Sequence, residues 1–248
     1  RFYPHVTSSP HFNHLQSAYR PHHSTDTALL HTFDNIYRSA DRSLPTLLVS
    51  LDLSAAFDTI DHSLLLSRLS TSFGIHGTTL AWLSSYLSNC SQLIRIGETS
   101  SDRTLCDSGV PQGSVLGPIL FSLYVSPIGQ IISDHDISGQ QYADDSQLYI
   151  ALNGTDVTTS ILRLESCLSA LRNWLCYNGL CLNPDKSESI LLGTHQRLRN
   201  FPEIPSINVA GTHIKLDSKI TSLGVTMDST LSFNQHITSI CKASHFHL

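Results

Sequence analysis

Residues 108–133 run for 26 positions without a charged side chain, and this stretch limits the fold more than any other in the chain. About 20 consecutive apolar residues would read as a membrane-spanning helix. Here Pro111, Pro118 and Pro127 interrupt the run, with Gly109, Gly113, Gly117 and Gly129 between them. Proline removes a helical donor and clashes with the turn before it. Gln112, Ser114 and Gln130 add polar groups. The segment is therefore expected inside a globular core and not in a membrane. A chain of 248 residues with 40% hydrophobic content supplies such a core, as one large domain or two small ones.

The first 45 residues are rich in His, Ser and Pro, with one helical run at 26–37. Residues 46–51 are a short apolar run ending at Asp52, which fits a buried strand. Ser63 is expected to cap a helix carrying Leu65, Leu66 and Leu69, with Gly74 ending it. A second helix is expected at 78–87 and an alternating strand at 92–96, and Leu116, Ile119, Leu120 and Leu123 mark a helix after Gly113. Residues 140–150 read as strand, turn, strand, with Asp144-Asp145 at the turn. Val157, Ile161, Leu164, Leu168, Leu171 and Leu175 recur by fours and threes and predict an amphipathic helix closed by Asn178-Gly179. That run is too short for a coiled coil and fits one face packed on a sheet. Further strands are expected at 187–192, 207–209 and 220–225, and Asn234 is expected to cap a last helix. Elements mixed without strict alternation predict an α+β fold with a largely antiparallel sheet and helices on one face.

Lys and Arg number 15 against 20 Asp and Glu, a formal charge of −5. Nucleic-acid-binding domains are usually basic, so this balance counts against one. The six cysteines show no C-x-x-C spacing and read as reduced, mostly buried thiols in a reducing compartment. The first residues lack the apolar core of a signal peptide, and both ends read as cuts through a longer protein.

Three places carry candidate chemistry. Asp52 ends an apolar strand, where a carboxylate sits on a stiff support suited to a metal; a turn-capping Asp would look the same. Asp144-Asp145 at a hairpin tip repel one another unless a cation relieves them, and a hard divalent ion such as Mg²⁺ is the natural partner; an exposed acidic turn is the plainer reading. Taken together, the two sites would converge across neighbouring strands and hold a metal pair. Residues 108–118 hold three Gly and two Pro ahead of a helix, which permits close approach of a ligand to backbone. No Gly-Lys-Ser/Thr follows, which excludes a P-loop.

The ordered set resembles the reverse transcriptase domain of non-LTR retrotransposons, the long interspersed element type. Leu51-Asp52 through Phe57-Asp58 resembles polymerase motif A, Ser108 through Pro118 with its Pro111-Gln112-Gly113 resembles motif B, and Tyr142-Ala143-Asp144-Asp145 resembles motif C. Leu182-Asn183-Pro184-Asp185-Lys186-Ser187 is similar to motif D, and Leu223-Gly224-Val225 onward to the region around motif E. Gln16-Ser17-Ala18-Tyr19-Arg20-Pro21 resembles the segment ahead of motif A. The resemblance implies a polymerase palm with partial fingers at 1–45, a motif A to E core at 46–226 and the start of a thumb at 227–248. It implies Asp52 and Asp144 as metal ligands, Asp145 completing the acidic cluster and the Leu53 carbonyl adding a contact. Phe57 would be the aromatic gate against a ribose 2′-OH, which also counts against an RNA-synthesising polymerase. Gln112, Gly113 and Arg20 would line the nucleotide. Lys186 would place a cation or a proton at the leaving pyrophosphate.

The implied activity is RNA-directed DNA synthesis with two Mg²⁺ ions, or Mn²⁺ in their place, acting on an RNA template, a DNA primer and a dNTP. The implied setting is intracellular, in nucleus and cytoplasm. Upstream basic finger segments and most of the thumb are not in the sequence, so residues 1–248 alone are expected to fold with little activity. The competing reading is a truncated or decayed copy that keeps the fold without activity.

Overall fold

The computed structural model describes residues 1–111 and 113–246. Helices α1 (Phe2–Thr7) and α2 (Thr25–Asp41) precede strand β1 (Thr46–Ser54). Helices α3 (His62–Thr71) and α4 (Gly77–Leu87) follow, then the short strands β2 (Ser91–Gln92), β3 (Arg95–Ile96), β4 (Thr99–Ser100) and β5 (Thr104–Leu105). Next come α5 (Gly117–Val125), α6 (Ile128–Asp134), the hairpin of β6 (Ser138–Tyr142) and β7 (Asp145–Ala151), and the long helix α7 (Val157–Tyr177). The chain continues through β8 (Cys181–Leu192), α8 (His195–Arg199), β9 (Ile207–Val209), β10 (Thr212–Ile214), β11 (Lys219–Ser222), β12 (Val225–Asp228) and α9 (Asn234–Phe246).

The main sheet has the order β6-β7-β1-β8, and every neighbour is antiparallel. β1 lies inside it because its apolar run is buried on both faces. Leu47, Val49, Leu51 and Leu53 point into the larger core with Leu65 and Leu69 of α3, Leu120 and Leu123 of α5, and Leu164, Leu168 and Leu171 of α7. Leu48 points the other way, to Ile36 of α2, Tyr149 and Ile190 of the sheet, and Ile220 and Met227 of the β11–β12 hairpin. Each fully buried aliphatic side chain of this kind contributes roughly 1.5–3 kcal/mol. The fold is α+β with an antiparallel sheet, as expected. Most helices share one face, while α2 and a hairpin cover the second.

The long periodic helix forms as its spacing predicts, with Leu164, Leu168, Leu171 and Leu175 buried on one stripe and Gly179 at φ +70° past its end. The uncharged stretch divides. Helix α5 within it is almost wholly buried, but the described residues before Gly117 form a largely exposed loop in which Val115 is 93% exposed. Among the described residues no helix is long and apolar enough to cross a membrane.

Several local expectations are corrected. Asp61, not Ser63, caps α3: its side chain accepts from Leu64 N at 2.8 Å, and Ser63 donates its hydroxyl to the same carboxylate. Residues 92–96 split between two ribbons. The strand expected at 220–225 is a hairpin, because Leu223 and Gly224 both take positive φ, the two-residue turn that matches strand twist. Asn234 is the first residue of α9, and Phe233 before it supplies the carbonyl that Ile237 N reaches. All six cysteines are free thiols, but only Cys167 is fully buried, while Cys176, Cys181 and Cys241 are exposed.

Candidate active site

Strand register brings the acidic residues together. β1 and β7 pair Leu48 with Tyr149, Ser50 with Gln147 and Leu51 with Ser146. One step further, Asp52 lies beside Asp145, the first residue of β7, on the sheet face that carries Leu48 and Tyr149. Asp145 pairs with Tyr142 across the hairpin, so the turn itself is Ala143-Asp144. The sequence expectation placed both aspartates in the turn; the second already belongs to the strand. Burial of the carboxyl, then the charge of Asp144, then that of Asp52, push the Asp145 carboxyl above the ordinary carboxylate value. Asp144 and Asp52 thus both act on Asp145 at one end of the sheet.

The turn is held by a residue that sequence reasoning did not assign to the site. Ala143 has φ +56°, a left-handed conformation that favours glycine. Gln16, fully buried, accepts from Ala143 N at 2.9 Å and donates to Ala143 O at 3.0 Å. The same Gln16 Oε1 also accepts from Ala18 N at 2.9 Å. Around this clamp the N-terminal segment joins the edge of β6: Gln141 N donates to Leu15 O at 2.9 Å, and Ser17 N donates to Gln141 O at 2.8 Å. Asn13 Nδ2 donates to Gln141 Oε1 at 2.7 Å, and Gln140 Nε2 to Ser17 Oγ at 2.6 Å. The signal for this network was present as two glutamines, Gln140-Gln141, at strand positions that the burial pattern demands be satisfied.

β8 wraps the other side of Asp52. Asp52 pairs with Asn183 and Ser50 with Glu188, so four residues of β8 stand against one of β1, and the excess, including Pro184, Asp185 and Lys186, is extruded. Ser187 closes the excursion, donating its hydroxyl to Asn183 O at 2.7 Å and accepting from Asp52 N at 3.3 Å. Lys186 is exposed on that excursion. Leu53 pairs with Leu182, and its side chain belongs to the core.

The glycine-rich loop is strapped to the segment after β1. Gly109 N donates to Ile60 O and Val110 N to Phe57 O, at 2.8 and 2.9 Å. Gly109 has φ +82°, and a Cβ there would stand 2.8 Å from Asp58 O, so only glycine fits this close approach. Phe57 is half-buried and stacked on Phe121, with centroids 4.4 Å apart. Gly113 is exposed at φ +79°. Gln112 lies outside the described residues. Arg20 turns back on its own loop: its guanidinium donates to Gln16 O at 2.9 Å and His14 O at 3.3 Å and sits 5.5 Å from the Phe12 ring centroid. It fixes the clamp segment.

Among the described residues no three His, Cys, Asp or Glu groups form a ready-made metal cage. The donor chemistry nevertheless suits a hard divalent cation. Mutually repelling carboxylates on a rigid sheet end would be relieved by such an ion, which prefers oxygen ligands of this kind.

The chain matches the reverse transcriptase (RNA-dependent DNA polymerase) family over residues 1–227. It is 27% identical over 227 residues to the probable RNA-directed DNA polymerase from transposon BS of Drosophila melanogaster, covering 90% of this chain and 24% of that protein. It is 35% identical over 153 residues to the Pol polyprotein from type-1 retrotransposable element R2 of Popillia japonica, covering 57% of this chain and 20% of that one. The chain therefore spans a fifth to a quarter of the length of these curated relatives. In fold it is similar to apo telomerase from Candida tropicalis, with a TM-score of 0.58 at 15% identity, covering 93% of this chain and 38% of that structure. The chain belongs to the reverse transcriptase (RNA-dependent DNA polymerase) family.

Proposed function

We propose that the chain is the palm-centred portion of an RNA-directed DNA polymerase, joining a dNTP to a primer 3′-OH on an RNA template. The observation that carries this reading is the convergence of Asp52, Asp144 and Asp145 at one sheet end. In the proposed reaction the 3′-oxygen attacks the α-phosphorus, the bond to the β-phosphate oxygen breaks, and pyrophosphate leaves. Asp52, Asp144 and Asp145 would hold the divalent ions, Mg²⁺ or Mn²⁺, with the Leu53 carbonyl as a further ligand. When bound, such ions lower the pKa of the attacking hydroxyl and neutralise charge on the phosphates.

The protein's own share is positioning. The Gln16 clamp fixes the Asp144 turn, and the Ser187 hydroxyl fixes the Asp52 backbone. Phe57, half-buried on Phe121 within motif A, would exclude a 2′-OH by clash. Gln112 and Gly113 would line the nucleotide, with Arg20 holding the segment beside it. Lys186, exposed on its excursion, would give a proton or a neutralising charge to departing pyrophosphate. In domain terms, residues 1–45 would serve as partial fingers and residues 227–248 as the start of the thumb. Action in nucleus and cytoplasm belongs to the same reading.

The test is Mg²⁺-dependent extension of oligo(dT) on poly(rA), by residues 1–248 and by the full-length polymerase. Full-length enzyme is expected to extend and residues 1–248 to extend weakly. Asp144→Asn should abolish synthesis with an unchanged circular dichroism melt. Synthesis surviving Asp144→Asn refutes the assignment.

A further inference from the structure

Tyr19 stands in a conformation that its side chain opposes. Its φ is +58°, where a bulky aromatic is an outlier and glycine or asparagine is the usual residue. The surrounding structure holds it there from both sides. Tyr3 donates its hydroxyl to Tyr19 O, Ala18 N is bound to Gln16 Oε1, and Arg20 is anchored on two carbonyls of the same loop. Such over-determined strain persists at binding and catalytic sites more than elsewhere. Packing does not explain the residue, because Tyr19 is 46% exposed.

Its neighbour is the acidic turn. Gln16 Oε1 accepts from Ala18 N and Ala143 N together, so one amide oxygen ties the residue before Tyr19 to the residue before Asp144. Burial first, and then the Asp144 carboxylate, push the Tyr19 phenol above its ordinary value. A flat, half-exposed aromatic ring beside clustered carboxylates offers a stacking face, and stacking accepts any base because every base has a π-face.

We propose that Tyr19 is a nucleotide-contacting residue of this site, its exposed ring stacking on the base of the incoming dNTP beside the Asp144 turn. This rests on the polymerase reading above. It makes the strained loop a device that aims one aromatic ring at the substrate.

The test is equilibrium dialysis of dTTP with Mg²⁺ against the full-length polymerase, for wild type, Tyr19→Ala, Tyr19→Phe, Tyr19→Gly and Asp144→Asn, with thermal melts of each. Tyr19→Ala is expected to weaken dTTP binding roughly 5- to 150-fold, the range for loss of one stacked base. Tyr19→Phe should stay within about threefold of wild type, since the ring face is kept. Tyr19→Gly should lose binding as Tyr19→Ala does while melting no lower than wild type, because glycine relieves the positive φ. Binding that depends on Asp144 but not on Tyr19 overturns this inference alone. A clear drop in the melting point of Tyr19→Gly also overturns it, since the ring would then be structural. No Mg²⁺-dependent binding by wild type, or binding indifferent to Asp144→Asn, overturns the polymerase reading itself.

Discussion

Replacing Gln16 by leucine keeps the side chain's bulk and removes its amide. Three hydrogen bonds vanish, to Ala143 N, Ala143 O and Ala18 N. A net hydrogen bond contributes about 0.5–1.5 kcal/mol, and a buried group left unsatisfied costs about 1–3 kcal/mol. Gln16 itself is fully buried, so little water is at hand to take over. The three losses overlap at one turn and are not additive, which sets the expected cost of Gln16→Leu at about 3 kcal/mol. For a chain of this size that lowers a cooperative melting point by roughly 6–12 °C. Urea unfolding followed by circular dichroism gives the global cost. Hydrogen exchange of the Ala143 and Ala18 amides reads the local one, and both should exchange much faster in the variant. Stability within about 0.5 kcal/mol of wild type, with unchanged exchange at Ala143, would show that the turn stands without the clamp and refute the reasoning.

Gly109→Ala should cost about 2–3 kcal/mol, because its Cβ would meet Asp58 O at 2.8 Å on a backbone at φ +82°; a calorimetric melt at the wild-type temperature would count against the strapped loop. Phe57→Ala should raise ribonucleotide incorporation by the full-length enzyme by a large factor and cost about 2 kcal/mol, less than a fully buried Phe because the ring is half-exposed; unchanged sugar selectivity would leave Phe57 as the stacking partner of Phe121 only. At Asp228, burial works to raise the carboxyl, but hydrogen bonds from Thr230 and Ser232 outweigh it and hold it below the ordinary value of 3.8. A depressed folded pKa means that this stabilisation is present above the unfolded value and lost as pH falls through the folded one. The loop between β12 and α9 should therefore loosen in acid below about pH 4, and Asp228→Asn should lose stability at pH 7 and flatten that dependence; equal pH profiles would rule it out.

The sequence by itself determined the elements whose signal is local. The run at Leu47-Leu48-Val49 had to be a buried strand, and the leucines of α7 had to lie on one helical stripe, because each period reports the face of its own element. Motif order told the family and nominated Asp52, Asp144 and Asp145. That those carboxylates share one sheet end was decided by the β1–β7 register, a pairing across more than ninety positions that no local period encodes. Tertiary structure alone revealed that Gln16 secures a left-handed Ala143, that Ser187 closes an excursion over Asp52, and that Arg20 anchors its own loop. These are polar side chains, and composition says nothing of which distant backbone groups they satisfy. The same limit applies where period and structure diverge: Gly224, inside the strand expected at 220–225, sits in a hairpin turn, and the described uncharged residues before Gly117 form a loop instead of core. Apolar content measures a tendency to be buried, while the backbone groups of a Gly- and Pro-rich loop need partners that only the folded chain, or solvent, can provide.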